Sequence, residues 1–356
     1  MYLKTYTSTD PFLFENGASI DELTIAYHTY GELNEDKDNV VWVCHALTAN
    51  SDVFDWWPGL FGETELFNPH DYFIICANVL GSHYGTTNPL SLNPRTGEPY
   101  YLDFPQFTIR DIVRANQRLA DHLGVDKIDI LIGGSLGGQQ VLEWTAAGTI
   151  RIDKLIVIGT CAQSSPWGVA FNESQRLAIE ADPSFHKGLP EGGAQGLRAA
   201  RSVALLSYRT YEVYNLKQEE SDSSKTDDFK ASSYQRYQGD KLVRRFNAYS
   251  YWYLTKAMDS HHLGRGRDSV AQTLSAFSPQ TLVVGIPADV LFPPSEQEFI
   301  AAHIPGARYY ELHSDYGHDG FLIETGTLTA VISDFLKATQ SKSGKDITEK
   351  TYIATL

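Results

Sequence analysis

Cysteine, positive charge and long apolar runs are what this sequence has least of. Three cysteines, Cys44, Cys76 and Cys161, are spread through 356 residues. An odd, widely spaced set excludes a disulfide framework and a clustered zinc site. Each sits at the end of an apolar run, where a free thiol behaves as a small hydrophobe. A reducing cytoplasm is the expected compartment. Lys and Arg number 29 against 44 Asp and Glu, a net charge of -15. That balance argues against a nucleic-acid binder, which needs a basic face. No apolar run reaches the roughly 20 residues that span a bilayer. The start, Met1 to Tyr6, lacks an apolar segment, so no signal peptide is expected. The 11 histidines contain no H-E-x-x-H pattern, and His261-His262 are adjacent, so no metal and no cofactor is expected. Internal repeats and low-complexity tracts are absent as well.

What is present is a core. Hydrophobic residues make up 42% of the chain, and their spacing predicts an α/β fold. Thr24–Tyr30, Val40–Cys44, Tyr72–Cys76, Ile128–Ile132 and Leu155–Ile158 read as strands. Short β-branched runs of this kind fit strands buried on both faces. Thr108 with Asp111 predicts an N-cap, followed by a helix with Ile112, Val113, Ala115, Leu119 and Leu123 at helical spacing, stopped by Gly124. Alternation of strands and helices predicts a mostly parallel, doubly wound sheet. From Pro166 to Asp268 the pattern turns helical without a clear strand, and 218–228 is a polar loop. Strand signals resume at Thr281–Gly285 and Arg308–Leu312, and a helix over Thr327–Ala338 closes the core. Gln340–Leu356 reads as an exposed polar tail. The expected architecture is one core, 1–165 with 269–356, interrupted by a helical lid, 166–268.

The chemistry is signalled by one turn. Ile128–Ile132 runs directly into Gly133-Gly134-Ser135-Leu136-Gly137-Gly138, and Gln139–Trp144 then reads as helix. G-x-S-x-G at a strand-to-helix turn exposes a serine at the top of a sheet. Neither G-x-G-x-x-G nor G-x-x-x-x-G-K-[ST] occurs here, which argues against a phosphate turn. A serine needs a base. In the α/β-hydrolase fold the chain order is Ser, then an acid, then His, each after a strand. Asp289 follows Thr281–Gly285, and His318 follows Arg308–Leu312. Ser135, Asp289 and His318 are therefore the expected triad, with His313 and Asp315 as neighbours in the same loop and His313 as the alternative base. An oxyanion hole needs two donors. The Leu136 N–H and the Leu47 N–H, in the loop after Val40–Cys44, are the candidates. His45 reads as a satisfied structural histidine.

Taken together, these segments resemble the homoserine O-acetyltransferases, α/β-hydrolase-fold acyltransferases of methionine biosynthesis. The resemblance covers most of the chain. It rests on His45-Ala46-Leu47-Thr48, Asn78-Val79-Leu80-Gly81, Asn93-Pro94-Arg95-Thr96-Gly97, Phe107–Asp111, Gly133–Gly138 and Leu142-Glu143-Trp144. In the insertion it adds Ala170–Glu173, Gln175-Arg176, Ala178-Ile179, Asp182-Pro183, Tyr237-Gln238-Gly239 and Arg245-Phe246-Asn247-Ala248. Leu291–Pro294 and Gly317–Leu322 complete it. The resemblance implies acetyl transfer from the co-substrate acetyl-CoA onto Ser135 and then onto homoserine, by a ping-pong route. It further implies that Arg176 receives the substrate carboxylate and Asp319 the amino group, and that the protein is a homodimer formed through the insertion. Lys241, Arg244 and Arg245 are candidates for the CoA phosphates. The chain departs from many members at Gly81-Ser82-His83-Tyr84, where Gly-Gly-Cys is common, and at Asn88-Pro89, where Gly-Pro is common. Succinyl-CoA as donor and serine as acceptor therefore stay open. So do an esterase or thioesterase with the same triad and, in another class, an inactive binding protein on this fold.

Overall fold

The computed structural model describes residues 2–342. Its sheet strands are β1 (Lys4–Ser8), β2 (Leu23–Tyr30), β3 (Val40–Cys44), β4 (Phe73–Ala77), β5 (Lys127–Gly134), β6 (Arg151–Ile158), β7 (Gln280–Gly285) and β8 (Arg308–Glu311). A two-residue hairpin pair, Phe12–Leu13 and Ser19–Ile20, lies apart from it. Spatial order in the eight-stranded sheet is β1-β2-β4-β3-β5-β6-β7-β8. From β4 to β8 all pairs are parallel. β1 and β2 add antiparallel pairs at one edge, which the sequence pattern did not indicate.

The parallel centre forms because its strands can be buried on both faces. In β3 all five residues are buried. Val40, Trp42 and Cys44 join the core on one face, while Val41 and Val43 join that on the other. This is the period-two alternation of a pleated strand, with both sides apolar. The helix α1 (Ile109–His122) opens on the expected capping box of Thr108 and Asp111. Gly124, at φ +67, ends that turn, and α2 (Leu136–Ala147) follows β5 directly.

Between β6 and β7 come α3 (Pro166–Glu180), α4 (Ala194–Tyr208), α5 (Tyr211–Gln218), α6 (Lys230–Val243), α7 (Ala248–Asp259) and the short α8 (Val270–Ser275). The segment 219–229 is a loop. Where the chain returns to the core, Arg267 pairs with Glu143 at 2.5 Å and Arg265 with Glu15 at 2.8 Å. α9 (Pro294–His303) and α10 (Thr325–Lys342) complete the core. α10 runs past the expected end at Ala338 into what the composition marked as tail. The remainder of that tail lies outside the described residues.

Register sets the place of chemistry. Cys44 pairs with Gly133, Gly134 with Ile158, and Ile158 with Val284. The carboxyl ends of β3, β5, β6 and β7 therefore finish side by side. In an open parallel sheet the loops leaving such ends form the crevice for ligands.

Candidate active site

Ser135 stands at that edge with φ 57 and ψ -126. A non-glycine residue in this region is strained by about 1–3 kcal/mol. The strain persists because the turn is held on both sides. The Ser135 N–H donates to Ile158 O at 3.0 Å, and Thr160 Oγ1 donates to Ser135 O at 2.8 Å. Glycine is obligatory at Gly137, where a Cβ would lie 2.0 Å from Cys44 O. The turn thus drives the backbone of α2 against the end of β3 and lifts the serine above it.

The three triad candidates meet. His318 Nε2 lies 2.9 Å from Ser135 Oγ, and His318 Nδ1 lies 2.6 Å from Asp289 Oδ2. The other carboxylate oxygen of Asp289 accepts from the Leu291 and Phe292 N–H groups at 2.8 and 2.9 Å. The carboxylate is thereby locked, so it can hold Nδ1 protonated and leave Nε2 free to take the serine proton. Three aromatic rings flank the imidazole, Phe292 at 5.3 Å and Tyr208 and Phe321 at 5.7 Å. Burial pulls the His318 pKa down, but the Asp289 charge and hydrogen bond outweigh it and leave it above the ordinary value. His313, by contrast, is exposed and faces Glu311 at 3.9 Å, and Asp315 is exposed too. Neither competes as base or orienting acid.

Two N–H groups remain for a developing oxyanion. Leu136 opens α2, whose first turn carries no acidic residue, so its amide and the helix dipole favour negative charge. Leu47 lies in the loop after β3. His45, fully buried, shapes that loop. Its Nδ1 lies 2.8 Å from Ala46 O, and its Nε2 accepts the Val79 N–H at 3.0 Å. Burial pulls His45 down to about 4, so the neutral tautomer with Nδ1–H is retained. The peptide is planar, so pinning Ala46 C=O aims the Leu47 N–H the opposite way. Among the described residues neither the Leu47 nor the Leu136 N–H is given to another protein group.

The two substrate-binding residues implied by the resemblance sit in ion pairs. Arg176, on α3, is almost fully buried. Its Nε and Nη2 donate to Glu173 Oε2 at 2.9 and 2.6 Å, and Nη2 donates to Asp259 Oδ2 at 2.5 Å. Only Nη1 lacks a partner among the described residues. Asp319 Oδ2 accepts from Arg209 Nε at 2.7 Å. Composition and spacing missed a third cation, Arg201 of α4. It stacks 5.3 Å from the Tyr208 ring, the ring that faces His318, and among the described residues it has no carboxylate partner. Arg201 and Tyr208 stand about two turns apart on one helix face, a spacing that could have flagged them. Tyr208 is pushed up by burial, Arg201 draws it back and Asp319 adds to the rise. All three of the basic trio are exposed, but among the described residues Arg245 alone donates from its side chain, to Thr48 and Tyr84.

Comparisons with known proteins agree on the fold and the family. A model of the alpha/beta hydrolase fold matches residues 39–325. A protein of Cyclobacterium marinum named homoserine O-acetyltransferase is 49% identical over 321 residues, covering 90% of this chain and 91% of that one. The crystal structure of homoserine O-acetyltransferase from Staphylococcus aureus superposes with a TM-score of 0.79 at 31% identity, covering 94% of this chain and 95% of that one. Esterase E22 shares the fold, with a TM-score of 0.86 at 23% identity, covering 94% of this chain and 99% of that one.

The raised His318 pKa has a definite sign. The base acts as the neutral imidazole, so activation of Ser135 is lost as pH falls through the folded pKa. The acid limb of the activity is expected to bend above pH 6.5, the imidazole's ordinary value. Asp289→Asn should lower the rate by roughly 10⁴. A pH profile of the activity checks the first, and an inflection below 6.5 would contradict it. By its fold, its catalytic-turn geometry and its close relatives, this chain belongs to the homoserine O-acetyltransferase family of α/β-hydrolase-fold proteins.

Proposed function

We propose that this chain transfers an acetyl group from acetyl-CoA to the side-chain hydroxyl of homoserine through an acyl-serine intermediate. The observation that carries the reading is the Ser135–His318–Asp289 relay, with Arg201 and Asp319 placed as opposite charges around Tyr208. In the first half-reaction His318 Nε2 takes the Ser135 proton as Oγ attacks the thioester carbonyl. The Leu47 and Leu136 amides receive the oxyanion. The carbon–sulfur bond breaks, and the thiol leaves with the proton from His318. In the second half-reaction the acceptor hydroxyl gives its proton to His318 and attacks the acyl-serine. Ser135 is then regenerated by the same proton in reverse.

The acceptor is a zwitterion, which needs one cation and one anion at fixed separation. Arg offers a forked match to a carboxylate. A guanidinium already facing two carboxylates gains little from a third. Arg201, without one, is therefore the favoured receptor for the substrate carboxylate in place of Arg176. The free oxygen of Asp319 suits the ammonium group. An esterase reading differs only in letting water attack the acyl-enzyme, and a lid that excludes water favours transfer.

The reading carries a cytoplasmic location, which three buried free cysteines support. No helix among the described residues is long and apolar enough to cross a membrane. It carries a homodimer as well. Leu177, Leu206, Tyr211 and Leu216 expose apolar side chains on the lid helices at 56, 57, 79 and 72%, and the homodimer reading takes them as one interaction surface.

Acetyl-CoA or succinyl-CoA, paired with homoserine or serine, should release free thiol fastest for acetyl-CoA with homoserine. Ser135→Ala should cut that release by roughly 10⁶. Full activity in this variant, or rapid acetyl-CoA hydrolysis without an amino acid, would overturn the assignment. Arg201→Met should raise the KM for homoserine by about tenfold or more, given roughly 1.5–3 kcal/mol for a hydrogen bond to a charged group. Arg176→Met should instead show mainly as a lowered Tm. The reverse pattern would return the role to Arg176. Sedimentation velocity is expected to show a dimer, and Leu216→Asp with Tyr211→Asp a monomer; a monomeric parent protein would refute the interface.

A further inference from the structure

The lid is fastened to the core beside the oxyanion loop. Three consecutive residues between α6 and α7 make the fastening. Arg245 Nη1 donates to Thr48 O at 2.5 Å and to Tyr84 Oη at 2.6 Å, and Nη2 donates to Thr48 Oγ1 at 3.3 Å. Phe246, buried, packs its ring 5.7 Å from Tyr84 and 6.0 Å from His83. Asn247 Oδ1 caps α7 by accepting the Ser250 N–H at 2.7 Å. Its amide nitrogen therefore faces His83 Nδ1 at 2.8 Å. That bond needs an unprotonated Nδ1, and burial, which lowers the His83 pKa, keeps it so.

The loop so fastened is a single turn. The Ala49 N–H closes it onto Ala46 O at 3.0 Å. His45 holds its first peptide from the core side, as described above. The peptide between Thr48 and Ala49 is held from the lid side, because Thr48 O takes a guanidinium N–H. Leu47 lies between these two anchors, and its N–H is the oxyanion donor of the proposed function. The core fixes one end of the turn and the lid fixes the other.

We propose that Arg245 is a positioning residue that lets the lid set the aim of the Leu47 amide, and so the rate of both acyl-transfer steps. It does not touch the reacting atoms. Its guanidinium is committed to Thr48 and Tyr84, which sets it apart from Lys241 and Arg244 as a receptor for CoA phosphates. The effect has a natural ceiling. Loss of a whole oxyanion donor costs about 10²–10³ in rate, and a donor mis-aimed by a fraction of an ångström costs less.

The inference rests on the acyl-serine reading, so its test uses a donor with and without CoA. Acylation of Ser135 is followed as thiol release from acetyl-CoA and as the nitrophenolate burst from p-nitrophenyl acetate. In Arg245→Gln both maximal rates should fall together by about tenfold or more, with the KM for acetyl-CoA moving far less. Tyr84→Phe keeps every charge but removes one anchor of the guanidinium, and should lower both rates in the same proportion by a smaller factor. A KM rise for acetyl-CoA with an unchanged p-nitrophenyl acetate burst would overturn the proposal in favour of phosphate binding. Unchanged rates with both donors would overturn it as well. If Arg245→Gln loses its native Tm, Tyr84→Phe alone decides. Absence of any burst in the unsubstituted protein would instead sink the acyl-serine reading, and this inference with it.

Discussion

The approach of Gly137 to the carbonyl of Cys44 is the constraint on which the site depends. It brings the first turn of α2 against the end of β3, where a single methyl would lie 2.0 Å from the carbonyl oxygen. That contact forces the chain through Ser135 in a strained conformation. It also puts the Leu136 amide and the loop after β3 on the same side of the serine. The candidate nucleophile and the candidate oxyanion amides are thus products of one close packing event, and the rest of the fold serves to hold it. The two apolar layers on either face of the sheet keep β3 and β5 in register, and register decides where the turn falls.

Around that fixed point the structure separates groups by how they are charged. The Asp289 carboxylate is engaged by one imidazole and two amides, and His318 is the titratable group it touches among the described residues. Arg176 and Asp259 neutralise each other inside the lid, as do Arg265 with Glu15 and Arg267 with Glu143 at its return to the core. The Arg176–Asp259 pair, the most buried of these on its arginine side, is costly to break, because the survivor is left as an unpaired charge. Among the described residues Arg201 has no such carboxylate partner, which is why the proposed function gives it the substrate carboxylate. The acidic whole and the local basic point are compatible, since only the groups facing the crevice act at short range.

Much of this was legible in the sequence, for identifiable reasons. Strands β3 to β7 announce themselves because burial on both faces demands unbroken apolar runs. The turn at Ser135 announces itself because close backbone approach demands glycine. Asp289 and His318 follow from chain order. The edge strand β1 could not be read: its burial is partial, so its residues alternate weakly. The ion pairs were equally silent. Arg176 meets Asp259 from 83 positions away, Asp319 meets Arg209 from 110, and Arg245 meets Thr48 from 197. Side-chain pairings over such separations leave no periodic trace, so the resemblance could nominate Arg176 without indicating that its charge is already matched.

One feature of the triad bears on how the protein is made. Ser135 and His318 are 183 positions apart, with the whole lid between them. A chain growing from its N-terminus completes β3, β5 and the serine turn long before its base exists. Until β7 and β8 pair at the far side of the sheet, the hydroxyl is an ordinary alcohol without a proton acceptor. The pairing of β6 with β7, on which β8 then builds, spans the whole insertion and is a long-range contact of the kind that forms slowly. Reactivity is therefore a late property of this fold, acquired after the helical insertion between β6 and β7 has been synthesised.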